Sequence, residues 1–273
     1  MLGLGFLNFT KVNTYLAATL AYLNSDATLS GLSKPVKDGI DRWIRDLNGY
    51  SNGSYTTYNV WSRIIAIYPI IGGTSTSVAK NAKNPGSYTL THTGGPTISA
   101  AVGSNIAYNG TTQFSDTGFI PTNDTSVNDL LAWGIHRRDS NDDGNATHGI
   151  ASSGNSYGII RSDINRQFFI ASNRSDASTG SLAVNALYHN SMSSSTVLNA
   201  YRNGGLLKTN TGQTINSTGV SSFYIGACHG GSTIFGGPNT VDYLWLANNY
   251  NWTDNENAFM YNSFNALQTI LGR

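Results

Sequence analysis

"STVLNAYRNGGLLKTN", Ser195 to Asn210, decides the fold. Two short runs with β-branched and aromatic residues flank Asn203-Gly204. A tight type I′ turn needs two consecutive residues at positive φ, and Asn-Gly supplies both at little cost. The stretch therefore reads as a β-hairpin. The same pattern recurs on either side, in "GSYTLTHTGGPTIS" from Gly86, "SNIAYNGTTQFSDTGF" from Ser104, "VNDLLAWGIHRRDS" from Val127 and "THGIASSGNSYGIIRSD" from Thr147. It continues in "NRQFFIASN" from Asn165, "SSFYIGACHG" from Ser221 and "VDYLWLANN" from Val241. Short aromatic and β-branched runs, separated by turn residues at fairly regular intervals, predict an all-β sandwich.

The flanks read differently. "SKPVKDGIDRWIRDLNGY" predicts a helix, with Ser33 placed to cap it and Pro35 in its first turn. Val36, Ile40, Trp43, Ile44 and Leu47 form one stripe, Asp38–Arg42 and Asp41–Arg45 form i,i+4 pairs, and Gly49 stops it. A helical spacing runs from Val12 through Leu23, a weak strand signal precedes it, and "SDATLSGLSK" reads as a loop. At the other end, Thr253 and Glu256 form a capping box ahead of Met260, Phe264, Leu267 and Leu271, and Gly272 closes the helix. The expected organisation is a mixed, partly helical attachment segment over residues 1–80. A sandwich over 81–273 follows, ending in a helix.

Charged residues make up only 11% of the 273, and net charge is +1, which argues against nucleic acid and against charge-driven membrane binding. No apolar run reaches the roughly 20 residues of a membrane span. The N-terminus lacks a basic leader region, so no signal peptide is expected. The single cysteine, Cys228, excludes an intramolecular disulfide framework and reads as a small core residue.

Catalytic signals are sparse. Sugar hydrolysis needs two carboxylates across the scissile bond. Glu256 is the only glutamate and already serves the capping box, while Asp116, Asp124, Asp129 and Asp142 flank turns. Ser156 in "GNSYG" matches the nucleophile-elbow string but lacks the strand-to-helix context that gives it meaning. His92, His136, His148, His189 and His229 are scattered singly. "DSNDDG" offers Asp139, Asn141 and Asp143 as a candidate calcium half-loop, but Ile150 stands where the closing acid belongs. No other cofactor is expected. Trp245, Asn248, Asn249, Tyr250 and Trp252, with His136, combine ring planes and polar groups as a sugar site requires, and form the candidate glycan set. On alternation, Trp133, Ile135 and Arg137 share one strand face, and Tyr243 and Trp245 share another, which equally suits packing beneath the terminal helix.

"VWSRIIAIYPIIGGTSTSVAKNAKNP", Val60 to Pro85, resembles a segment of tailed-bacteriophage structural proteins, where "AIYPFVGGTA" precedes an Asn-containing loop. "YTLTHTGGPTIS", "NGTTQFSDTGFIP" (similar to that family's "NGxxxYADTxLxP") and "FNALQTILGR" follow in the same order. Ile70 stands where that family has Phe. The resemblance covers roughly Pro35 to Arg273. It implies a concanavalin A-like, laminin G-like jelly roll in a virion component, such as a capsid decoration, fibre or tail-associated protein. It further implies other virion proteins as partners, host surface glycans as a ligand class the fold admits, and a homo-oligomer. The acids used by enzymes of that fold have no counterpart here. The runner-up is a glycoside hydrolase or polysaccharide depolymerase using aspartates such as Asp129 and Asp142. On this reading Trp61, Ile64, Ile65 and Ile67 form an amphipathic segment docked on the sandwich, ended by Pro69. Gly72 and Gly73 then turn the chain.

Overall fold

The computed structural model describes residues 15–49, 58–124, 132–139, 148–152, 155–157, 166–170, 173–177, 185–212, 221–230, 233–235, 238–248 and 252–273. The elements begin with helices α1 (Ala17–Leu23), α2 (Ala27–Ser30) and α3 (Lys34–Leu47), strand β1 (Ile64–Tyr68) and helix α4 (Ser75–Val78). Strands β2 (Thr91–Thr93), β3 (Thr97–Ile98), β4 (Ile106–Asn109) and β5 (Phe114–Asp116) come next, then α5 (Pro121–Asp124) and β6 (Ala132–Arg137). The chain continues with β7 (His148–Ser152), β8 (Asn155–Tyr157), β9 (Arg166–Ile170), β10 (Asn173–Ala177), β11 (Ala186–Ser194), β12 (Val197–Arg202) and β13 (Gly205–Asn210). It closes with β14 (Tyr224–Ile225), β15 (Cys228–Gly230), β16 (Thr233–Phe235), β17 (Pro238–Ala247) and α6 (Asp254–Leu271).

The β12–β13 hairpin forms as read: Arg202 pairs with Gly205, and Asn203 and Gly204 take φ of 52° and 76°. It edges a larger sheet ordered β13-β12-β11-β6-β17-β4-β3. Along one side of β17, β4 pairs with Pro238–Val241 and β1 with the stretch from Leu244 to Ala247. A smaller sheet runs β16-β15-β7-β14-β5-β2, with β8 on β7 and one parallel pair, β15 with β7. Strands β9 and β10 form a separate ribbon. Pairing is otherwise antiparallel.

The sheets enclose one core. Tyr108, Trp133, Ile135, Leu198, Leu244 and Leu246 of the larger sheet share a cluster with Phe223 and Ile225 beside and within the smaller. The opposite face of the larger sheet is also buried. Tyr243, Trp245, Ala132 and Leu187 pack under Ile40, Trp43 and Ile44 of α3 and Met260, Phe264 and Leu267 of α6. The molecule is thus mainly β, two sheets with a helical layer on one of them.

Four readings change. The opening string is a buried strand: β1 sits within the larger sheet, with Ala66 and Tyr68 facing one cluster and Ile64 and Ile67 the other. A near-continuous apolar run is what a strand covered on both faces requires, and here it comes from the segment expected to lean on the sandwich from outside. The loop before α3 holds α2, because the Asp26 side chain accepts from the Thr28 N–H at 2.8 Å and caps a turn of helix. Of the α3 pairs, Asp41–Arg45 forms, but Asp38 takes Lys34 and the Tyr15 hydroxyl. Ser33 stands at the N-cap without a side-chain cap bond. Gly72 and Gly73 lie at φ of 102° and 75°, and a Cβ on Gly73 would fall 2.7 Å from the Ala100 backbone. The strand signal before residue 7 lies outside the described residues.

Candidate functional site

Three of the six residues of the predicted glycan set, Trp245, Trp252 and His136, are buried. β17 turns Tyr243 and Trp245 toward the helices, and Trp245 is fully buried with its ring 5.3 Å from Trp252 and 6.3 Å from His189. Trp252 is equally buried, under the Arg63 guanidinium at 4.2 Å. Arg63 in turn pairs with Glu256, whose other oxygen accepts from the Thr253 N–H in the capping box at the start of α6. These tryptophans are the floor under the terminal helix, because the face that alternation singled out is roofed. His136 is on the same covered face: its ring lies 4.5 Å from Phe264, and Nδ1 is hydrogen-bonded to Asp242. Asn248 is half-buried and donates its backbone N–H to the Arg63 carbonyl at 3.2 Å. Asn249 and Tyr250 lie outside the described residues.

The Asp139 carboxylate is also spoken for. One oxygen accepts from Arg137 Nη2 at 2.6 Å and the other from the Thr240 N–H, so it ties the end of β6 to β17. Asn141 and Asp143 lie outside the described residues, as do Asp129 and Asp142. Among the described residues no group of three or more His, Cys, Asp and Glu side chains is placed to hold a metal. Ser156 lies within β8, opposite Ala151 of β7. Asp242 is 1% exposed and ringed by His136, Arg138 and Arg273, a structural cluster closed to substrate.

The smaller sheet presents a different surface. Register aligns Thr91, Asp116 and Tyr224 in one row, and Thr93 with Phe114 in the next row on the same side. The residues between, His92, Ser115 and Ile225, point inward. There Ser115 Oγ bonds both Tyr108 Oη and His92 Nδ1, each at 2.7 Å, pinning β5 from beneath. Burial lowers the His92 pKa, so this inner support is neutral.

On the outward side the Phe114 and Tyr224 rings stack, with centroids 4.9 Å apart and planes at 14°. Both are half-buried, beside exposed Thr91 and Thr93. Asp116 Oδ1 accepts from the Gly118 N–H at 2.8 Å, which fixes the carboxylate. The Tyr224 pKa is raised, first by burial and then by Asp116, so its hydroxyl stays protonated. The result is an aromatic pair with a carboxylate and two hydroxyls around it. "QFSDTG" was legible as a strand, but Asp116 read only as a turn residue. The signal that would have found the face is period two in both strands: Phe114 and Asp116 flanking Ser115, and Tyr224 between Phe223 and Ile225.

No protein-family model and no curated protein matches the chain. Solved structures do. A Trypanosoma rangeli sialidase in complex with sialic acid matches with a TM-score of 0.55 at 14% identity, over 85% of this chain and 39% of its own. The binding domain of botulinum neurotoxin DC in complex with rat synaptotagmin II matches with a TM-score of 0.51 at 10% identity, over 75% of this chain and 52% of that one. The likeness is one of fold: β-sandwiches. The chain spans well under two thirds of either.

Proposed function

We propose that this chain is a non-enzymatic recognition module of a tailed-bacteriophage virion, a concanavalin A-like jelly roll that holds sugar on the outer face of its smaller sheet. The observation that carries the sugar reading is the stacked Phe114–Tyr224 pair beside Asp116, Thr91 and Thr93, on the sheet face away from the helical layer. A pyranose has an apolar face that rests on aromatic rings, and hydroxyls that bond carboxylates and threonines. The fold shared with a sialidase solved in complex with sialic acid supports sugars as the general ligand class. The virion setting is supported by the likeness of Val60–Pro85 and "NGTTQFSDTGFIP" to phage structural strings. Its partners are then other virion proteins, and repetition in a particle favours a homo-oligomer. The reading needs no cofactor.

Mass spectrometry of purified particles tests the setting, and the chain should be found there in stoichiometric amount. A glycan array tests the ligand. Phe114→Ala should abolish the signal while leaving the melting temperature within a few degrees, because Phe114 is half-buried on the outward side of the sheet and outside the apolar core.

A further inference from the structure

We infer that the sugar held on this face is an uncharged pyranose, and that sialic and uronic acids are turned away. The inference rests on the glycan reading given above and narrows it. In the outward rows, Asp116 is the only ionisable acid or base among Thr91, Thr93, Phe114 and Asp116, and its row runs on through Tyr224 to Gly149. These rows hold no lysine or arginine. A carboxylated sugar is gripped by a guanidinium, whose paired N–H groups match both carboxylate oxygens. Here it would meet a fixed carboxylate of its own sign.

The geometry of Asp116 also suits hydroxyls. Oδ1 is anchored by Gly118, and Oδ2 takes no hydrogen bond from the described residues. Held beside an aromatic pair, that oxygen accepts from a hydroxyl at the rim of a ring lying on Phe114. The Thr91 and Thr93 hydroxyls, exposed on the neighbouring edge strand, accept or donate as the sugar requires. Like charges a few ångströms apart at a wet surface repel enough to weaken binding roughly five- to tenfold at low salt.

The test is an array of matched oligosaccharides, each uncharged member printed beside its sialylated and uronic-acid-bearing forms. The best pair is then titrated at low and high salt. The expected result is binding of the uncharged member, at least fivefold weaker binding of the acidic one at low salt, and a gap that shrinks in salt. Asp116→Asn keeps the Oδ1 acceptor for Gly118 and removes the charge. It should close the gap without loss of folding, as read by melting temperature. Preference for the acidic member would overturn this inference and leave the glycan reading standing. Binding that Phe114→Ala leaves intact would place the sugar elsewhere and overturn the assignment of the face. Silence across all sugars would overturn the glycan reading itself.

Discussion

Gly134 of β6 lies directly beneath the Trp245 indole. A Cβ there would lie 2.2 Å from Trp245 Nε1, 2.6 Å from Cε2 and 3.0 Å from His189 Cβ. The indole lies across the strand because β6 has no side chain at this point. Gly134→Ala should cost about 1–3 kcal/mol, the range of overpacked cores, measured by urea denaturation. Its neighbour His189 is fully buried, stacked on Tyr201 at 4.8 Å, with neither ring nitrogen hydrogen-bonded to the described residues. Burial pushes its pKa down to about 3. The unfolded chain binds this proton near pH 6.5 and the folded one does not, so the stabilising difference is complete above about 6.5 and lost as pH falls toward 3. Within that window stability should fall by up to about 1.4 kcal/mol per pH unit. His189→Phe keeps a ring against Tyr201 and removes the proton site, so its stability should vary less with pH over the same window.

At the scale of elements, α6 is held at both ends. The capping box fixes its start, and Gly272 at φ 70° turns its end so that Arg273 enters the protein. The Arg273 guanidinium donates to the carbonyls of Pro69 at 2.7 Å and of Ile70 and Asp242 at 3.1 Å, and also to that of Ser104. Burial lowers its pKa to about 10, which leaves it a cation at neutral pH. Ile70 lies at φ 48°, a strained setting for a β-branched residue, and its carbonyl is one of those Arg273 holds. Arg273→Met should therefore cost about 3 kcal/mol, since it strands buried carbonyls and the Asp242 carboxylate. Amide exchange should quicken across residues 70–73. Arg273→Lys should recover little, because a point charge cannot serve the spread of acceptors a guanidinium reaches. Both caps of α6 were legible in the sequence, being local rules of residue type and spacing. Strand β11 was not: "ALYHNSMSS" has neither apolar alternation nor a β-branched run. Leu187 and Tyr188 are buried on opposite faces, and His189, Asn190 and Ser191 are all buried behind them. A strand covered on both sides loses the period-two signal, and buried polar residues disguise it further. The same covering misled the site. The side on which Trp245 faces was readable from alternation, but what lies over that side depends on contacts with α3, more than 190 residues away in the chain.

For the molecule as a whole, the decisive fact is that the central strands of the larger sheet, β11, β6 and β17, are buried on both faces. One apolar cluster joins Tyr22, Leu29, Ile40, Trp43, Ile44 and Ile67 to Tyr243, Trp245, Met260 and Phe264. Trp43 meets Tyr243 edge-on with centroids 6.4 Å apart, and β1 pairs four residues of β17. A fragment of residues 81–273 would therefore lose a strand from the larger sheet and uncover the face that holds Tyr243 and Trp245. Each large side chain so exposed costs about 1.5–3 kcal/mol. Four or five of them match the roughly 5–15 kcal/mol that stabilises a domain. The fragment should consequently lack a cooperative urea transition and should bind a hydrophobic dye, while the full chain unfolds in one step. If the fragment instead unfolds cooperatively, the helical layer is an accessory laid on a self-sufficient sandwich. The segment before residue 81 would then be free to serve as an attachment device in an assembled particle. If it does not, the attachment proposed for a particle would have to use surfaces outside that shared core, since its buried side chains already hold the sheet.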